Sequence, residues 1–280
     1  MDISDKKSFL VPLSVFLSIA FIVPLLLVAY TSVYDSGYTS RGYLALSQSK
    51  LYRQALVNTL LISGISGVVA TVLGYIVAYH LSLLTQRRRA LYIVLVMLPF
   101  WTSILVKSFA FTVILGHSGI INNALRFIFG EGAVTPLIFN RVGVIIGLVH
   151  WLLPFAVLPI LNNLLGQDDA IKQAATLMGA SATRIFCKIT LPLSVPGIVA
   201  GLAMCSVIAA GSIVTPSLLG GRGDMMLANL VDFYVREALD WTVASSISMT
   251  LLFIVGTVMA IFTIANKTGI KQRQLDRGQA

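Results

Sequence analysis

The chain has 280 residues, of which 57% are hydrophobic and only 11% charged, with a mean hydropathy of +0.88. A soluble domain is about a quarter charged, so this composition excludes an ordinary soluble enzyme and points to a bilayer protein. The net charge of +9 is spread over short basic clusters between apolar runs, without a basic stripe or interleaved aromatics, so nucleic acid is excluded as a partner.

A helix needs about 20 apolar residues to cross the hydrocarbon core. Runs of that size fall at 9–34, 55–84, 91–115, 142–165, 194–215 and 242–266. The first follows a short polar start, is too long for a signal-peptide core and lacks a small-x-small cleavage site, so a retained span is expected. The second ends just before Arg87, Arg88 and Arg89, a cluster that reads as a topology anchor on anionic lipid. The third holds Pro99 and must bend there; it also carries Lys107. The stretch 131–136, Glu-Gly-Ala-Val-Thr-Pro, reads as a turn ahead of the fourth run. No ten-residue alternation suits a β-barrel. The expectation is an all-α membrane protein, a single transmembrane domain over 1–280 with six helices. Cys187 and Cys205 have no metal spacing and read as small apolar fillers.

Orientation follows from the loop bases. With the N-terminus inside, twelve of the 20 Lys and Arg residues fall in cytoplasmic segments, with five of the 11 acids. The remaining eight bases and six acids fall elsewhere. Both termini are therefore expected in the cytoplasm, and 166–193 becomes the longest inside loop.

That loop has its own local logic. Asp168 or Asp169 caps a helix start. Ile171, Ala174, Ala175 and Met178 then form one apolar stripe. Gly179 stands where a left-handed residue ends the helix, and Ser181 caps a second short helix before Pro192. Two short helices bent at a glycine are predicted.

The loop resembles the EAA loop of bacterial ABC importer permeases, with the pattern E-A-A-x3-G-x9-I-x-L-P. Here the pattern is Gln173, Ala174, Ala175, Gly179, Ile189, Leu191 and Pro192, at the family's spacing, with Gln173 in place of the usual glutamate. Leu98 to Phe111, with Gly119-Ile-Ile-Asn, is similar to the third-span segment of spermidine/putrescine-type permeases. Thr215 to Gly221, Asn229-Leu-Val and Asp240 to Ser246 resemble the later segments of the same group. The resemblance implies the type I ABC importer permease fold in the bacterial inner (plasma) membrane, with 166–192 as the coupling loop. It implies no catalytic residue, no metal and no cofactor in this chain, with ATP and Mg on two cytoplasmic ATPase subunits. Its other implied partners are a second, related but non-identical permease, an extracytoplasmic solute-binding protein and membrane lipid. The implied solute is a polyamine or a related amino-bearing compound.

Lys107 admits two readings: an orienting group in the solute path, or a lysine snorkelling to the outer interface. Its sign suits a carboxylate or a backbone carbonyl better than an amine. Trp101, beside Pro99, is the best aromatic candidate for the path; Tyr92, Phe100 and Trp151 read mainly as packing. The acids Asp224, Asp232, Glu237 and Asp240 form an edge that either docks a partner or faces water. An ion-coupled secondary transporter is the alternative class, although none of the six runs holds Asp or Glu. No G-x4-G-K-[S/T] loop is present, so an ATPase of its own is excluded.

Overall fold

The computed structural model describes residues 3–35, 37–130, 132 and 135–278, with side chains from Pro12 and from 14–264 within those bounds. The expected termini at 1–2 and 279–280, and residues 131, 133 and 134 of the expected turn, lie outside the described residues. In chain order the elements are α1 (Ile3–Val33), β1 (Tyr34–Asp35), β2 (Gly37–Tyr38), α2 (Arg41–Gln48) and α3 (Lys50–Ser82). There follow α4 (Gln86–Trp101), α5 (Ile104–Leu115), α6 (Ile120–Phe129), α7 (Arg141–Leu165), α8 (Asp169–Leu177) and α9 (Ala182–Ile185). A π-helical segment, Phe186–Thr190, leads into α10 (Leu191–Ala210), then α11 (Val214–Leu219), α12 (Leu227–Arg236) and α13 (Trp241–Gly278).

Helices dominate because a backbone in hydrocarbon must satisfy its own N–H and C=O groups. Among the described residues, six helical stretches are long and apolar enough to cross a bilayer: Ser14–Val33, Lys50–Ser82, Ile104–Phe129, Arg141–Leu165, Ala182–Ala210 and Trp241–Ile264. The run expected as one span over 91–115 is interrupted instead. The chain leaves α4 at Thr102 and re-enters a helix at Ile104.

Contacts divide the chain into two compact units. In Met1–Arg53 with Leu230–Phe253, α1 is apolar on every face from Ser14 to Val33 and its side chains there are mostly exposed, as in a lipid-facing helix. Its end is tied by hydroxyls: Thr31 Oγ1 lies 2.7 Å from Ser245 Oγ, and Ser246 Oγ donates to the Ser32 carbonyl at 3.2 Å. β1 and β2 form a minimal antiparallel pair, Tyr34 opposite Tyr38.

In Gln54–Asn229 with Ile254–Ala280, α3, α7 and α10 build the core. Ile62, Val144, Leu148, Leu152, Cys205 and Leu219 are fully buried in one cluster, and Leu81, Val157, Ile160 and Leu161 are buried in a second. Small residues set how closely these helices approach, the usual device where lipid removes the hydrophobic drive between spans. A Cβ at Gly74 would stand 2.6 Å from the Ala156 Cβ, and one at Gly197 would stand 2.7 Å from the Asn163 Cβ. Three buried hydroxyls along α3 are satisfied within the helix: Thr59, Ser63 and Thr71 each donate to the carbonyl four residues earlier, at 2.5–2.8 Å.

Candidate functional site

The segment between α7 and α10 forms a capped elbow. Asp168 accepts a hydrogen bond from the Ala170 N–H at 2.9 Å, satisfying one free donor at the start of α8. At the other end Gly179 has φ of +79°. Its N–H donates to the Thr176 carbonyl at 2.9 Å, and the Ala180 N–H donates to the Ala175 carbonyl at 3.0 Å. Those two bonds make a Schellman motif, which ends a helix and turns the chain sharply. Ser181 then accepts from the Arg184 N–H at 3.4 Å and starts α9. The helix–Gly–helix shape read from the residues is the shape observed.

The motif residues spread over this elbow. Gln173, Ala174 and Gly179 are exposed, while Ala175, Ile189 and Pro192 are half-buried. Leu191 opens α10 with Pro192 behind it. Proline lacks an N–H and crowds the carbonyl four residues earlier, here Lys188. The π-turn just before it, in which the Leu191 N–H donates to the Phe186 carbonyl, widens the backbone where that crowding falls. The expected apolar stripe is partly turned outward. Ile171 and Ala175 are half-buried, but Met178 is 88% exposed and Leu177, which lies off the stripe, is 89% exposed. Stripe periodicity does not pick out Leu177; its place two residues before the turning glycine is the only local signal for it.

The elbow is fastened to the spans by side chains. Gln167 donates to the Thr190 carbonyl at 3.3 Å and to Ser194 Oγ at 3.2 Å, and Tyr75 of α3 reaches the same Ser194 Oγ at 3.3 Å. Phe186 stands edge-on to Tyr75 and Tyr79, with centroids 6.3 and 5.0 Å apart.

The second group of sequence candidates lies at the break between α4 and α5. Trp101 is the last residue of α4 and is 63% exposed. Phe100 and Trp151 both pack edge-on to Phe155, at 5.6 and 5.7 Å, which makes them packing residues. Lys107 donates from Nζ to the Pro99 carbonyl across the break. The structure does not bring the elbow residues and the Trp101–Lys107 pair into one site; they sit on different elements.

The acidic edge is largely used internally. Asp224 has a side chain only 14% exposed; it pairs with Arg141 at 3.4 Å and accepts from the Gly221 N–H at 3.2 Å. Arg141 also donates to Asn58 at 2.8 Å, and Asn58 holds the carbonyls of Gly223 and Met225 at 2.6 and 3.1 Å. Asp232 pairs with Arg236 at 2.6 Å, and Asp240 caps α13 through the Val243 N–H at 3.1 Å. Among the described residues there is no group of three or more His, Cys, Asp and Glu side chains that could hold a metal ion.

Six helical stretches among the described residues long and apolar enough to cross a membrane, with a capped elbow between two of them, define the class as a multi-pass membrane protein. Residues 70–266 match the family of binding-protein-dependent transport system inner membrane components, and the chain belongs to that family. It is similar to the spermidine/putrescine transport system permease protein PotB of Haemophilus influenzae, 32% identical over 217 residues, 78% of this chain and 76% of that one. It is likewise similar to PotB of Escherichia coli, 30% identical over 226 residues, 81% of this chain and 82% of that one. Its fold matches a crystal structure of a bacterial ABC transporter involved in the import of the acidic polysaccharide alginate. The TM-score is 0.74 at 20% identity, over 95% of this chain and 94% of that one. The chain is thus the permease component of an ABC importer, a multi-pass inner-membrane protein with the type I permease fold.

Proposed function

We propose that this permease imports a polyamine or a related amino-bearing solute, delivered from outside by a solute-binding protein. The 280 residues act as one transmembrane domain with both termini in the cytoplasm. This domain pairs with a related, non-identical permease. ATP and Mg act on two separate cytoplasmic ATPase subunits, and this chain hydrolyses nothing itself. The 166–192 elbow seats in a groove of one ATPase subunit, through Gln173, Ala174, Ala175 and Gly179. Ile189, Leu191 and Pro192 join it to the fifth span. Closure of the ATPase pair drags the elbow and switches the spans between inward and outward access. Trp101 and Lys107 stand along the solute path, Lys107 as an orienting group.

The observation that carries this reading is the elbow: a helix ended by a left-handed glycine, with Leu177 and Met178 bare at its tip. Two adjacent large apolar side chains held out by a capped turn suit burial against a partner surface. The solute class is supported by the 30–32% identity to the spermidine/putrescine permeases over about four-fifths of the chain.

The test is ATP-driven uptake in proteoliposomes holding this chain, its partner permease, the ATPase subunits and the binding protein. Labelled spermidine and putrescine should accumulate only with ATP inside the compartment that bears the ATPase. Accumulation of a solute without an amino group, and none of either amine, would overturn the solute class. Uptake that continues without the ATPase would overturn the mechanism.

A further inference from the structure

The end of a helix leaves its last carbonyls without partners one turn ahead. At the end of α4 the Leu98 carbonyl keeps its partner one turn ahead, and those of Pro99, Phe100 and Trp101 lose theirs. The Thr102 N–H takes the Leu98 carbonyl at 3.3 Å, and the Thr102 hydroxyl takes that of Pro99 at 3.2 Å. The Pro99 carbonyl also accepts from the Lys107 ammonium.

The position of Lys107 makes this contact informative. The Lys107 N–H donates to the Ser103 carbonyl at 3.1 Å, so the residue lies in the first turn of α5. A cation is disfavoured there, because the N-terminal end of a helix carries partial positive charge of about half a unit. The C-terminal end of α4 carries the opposite charge, and the ammonium reaches back eight residues to it. The dipole of its own helix opposes the charge, and that of the preceding helix holds it.

We infer that Lys107 is a positioning residue: its ammonium caps the C-terminal end of α4 at the Pro99 carbonyl and so holds the break between α4 and α5. It is an internal brace and makes no direct contact with the solute. The brace also removes the difficulty of a fixed cation beside a path for cationic solutes, since its charge is turned to a helix end. The inference rests on the geometry of the break and needs only that the chain is an ABC importer permease.

The full complex in proteoliposomes tests it through basal ATP hydrolysis and hydrolysis stimulated by spermidine-loaded binding protein. Lys107→Met should lower the maximal stimulated rate by about tenfold, the scale of one lost charge-assisted hydrogen bond. The half-saturating concentration of loaded binding protein should not change. Lys107→Arg should keep most of the rate, because a guanidinium reaches the same carbonyl. In Lys107→Ala, millimolar ethylammonium should restore the rate, since the free cation replaces the tethered one. Parental rates in Lys107→Met, or an unrescued Lys107→Ala with altered half-saturation, would overturn the assignment. Should Lys107→Met fail to assemble, Lys107→Arg and Lys107→Gln decide by the melting temperature of the complex. Arg near the parental value with Gln well below supports the cap, and equal values overturn it. Absence of spermidine stimulation in the parental complex counts against the proposed solute alone, and the cap is then judged on basal hydrolysis and melting.

Discussion

Phe186 meets Tyr79 edge to face, with ring centroids 5.0 Å apart and planes at 70°. One ring belongs to the π-turn at the end of the elbow and the other to α3. Tyr75, one turn earlier on α3, adds a second edge contact and a hydrogen bond to Ser194. The elbow is therefore joined to three spans at once, to α7 and α10 by the chain and to α3 by this aromatic clasp. Each aromatic pair contributes about 0.5–1.5 kcal/mol beyond its buried area. If the elbow transmits the ATPase stroke, Phe186→Ala should let ATP hydrolysis continue while uptake falls several-fold. The ratio of solute imported to ATP hydrolysed measures this, with Phe186→Trp retaining most of the parental ratio. An unchanged ratio in Phe186→Ala would show that the clasp carries no motion.

Gly179 supplies a clean test of the turn. A Cβ there would meet nothing within 4 Å, so any cost of substitution comes from its φ of +79° alone. For a residue with a side chain the left-handed region costs about 1–2 kcal/mol, with asparagine the best tolerated. Transport should therefore rank Gly above Asn, Asn above Ala, and Ala above Val, with membrane insertion equal in all four. A flat ranking in an uptake assay would mean that the elbow does not need this turn.

The local parts of this structure were legible in the residues, and the long-range parts were not. The cap at Asp168, the glycine turn and the cap at Ser181 are each fixed within about four residues, so composition and spacing reveal them. The bracing of α4 by Lys107 spans eight residues and depends on where the helix stops, which apolarity does not show. Asp224 looked like part of an outer acidic edge, yet its partner Arg141 is 83 positions away. Spans that are apolar on every face also carry no stripe that separates core from lipid, so residues such as Leu148 and Phe21 look alike until the helices are placed.

Topology has a test that needs no new residue. Cys187 is exposed on the elbow and Cys205 is buried in the core of α10. With twelve bases assigned to the inside, the elbow is proposed to face the cytoplasm. A membrane-impermeant maleimide should label Cys187 in inverted vesicles stripped of the ATPase, and should leave intact spheroplasts unlabelled. Cys205 should resist in both, so Cys187→Ser provides the blank. Labelling of Cys187 from outside would invert the topology and remove the elbow from reach of any cytoplasmic subunit.

The tip of the elbow makes the sharpest claim about a partner. Leu177 and Met178 are 89% and 88% exposed, although neither belongs to the motif pattern and both stand in water if the elbow is bare. Complete burial of one such side chain contributes about 1.5–3 kcal/mol. Loss of one therefore weakens association by roughly 10- to 100-fold, since 1.4 kcal/mol is a factor of ten in an equilibrium constant. Leu177→Ser should reduce ATPase retention on the purified permease pair by that order while leaving insertion unchanged. Leu177→Met should retain it, because volume and apolarity are nearly conserved. The same comparison at Met178, with Leu as the conservative change and Ser as the disruptive one, should give the same order. Binding of the ATPase subunits by sedimentation or fluorescence titration reads the affinity directly. If both serine variants hold the ATPase as tightly as the parent, the bare tip does not enter the groove, and the seat must then be built from Gln173, Ala174, Ala175 and Gly179 alone.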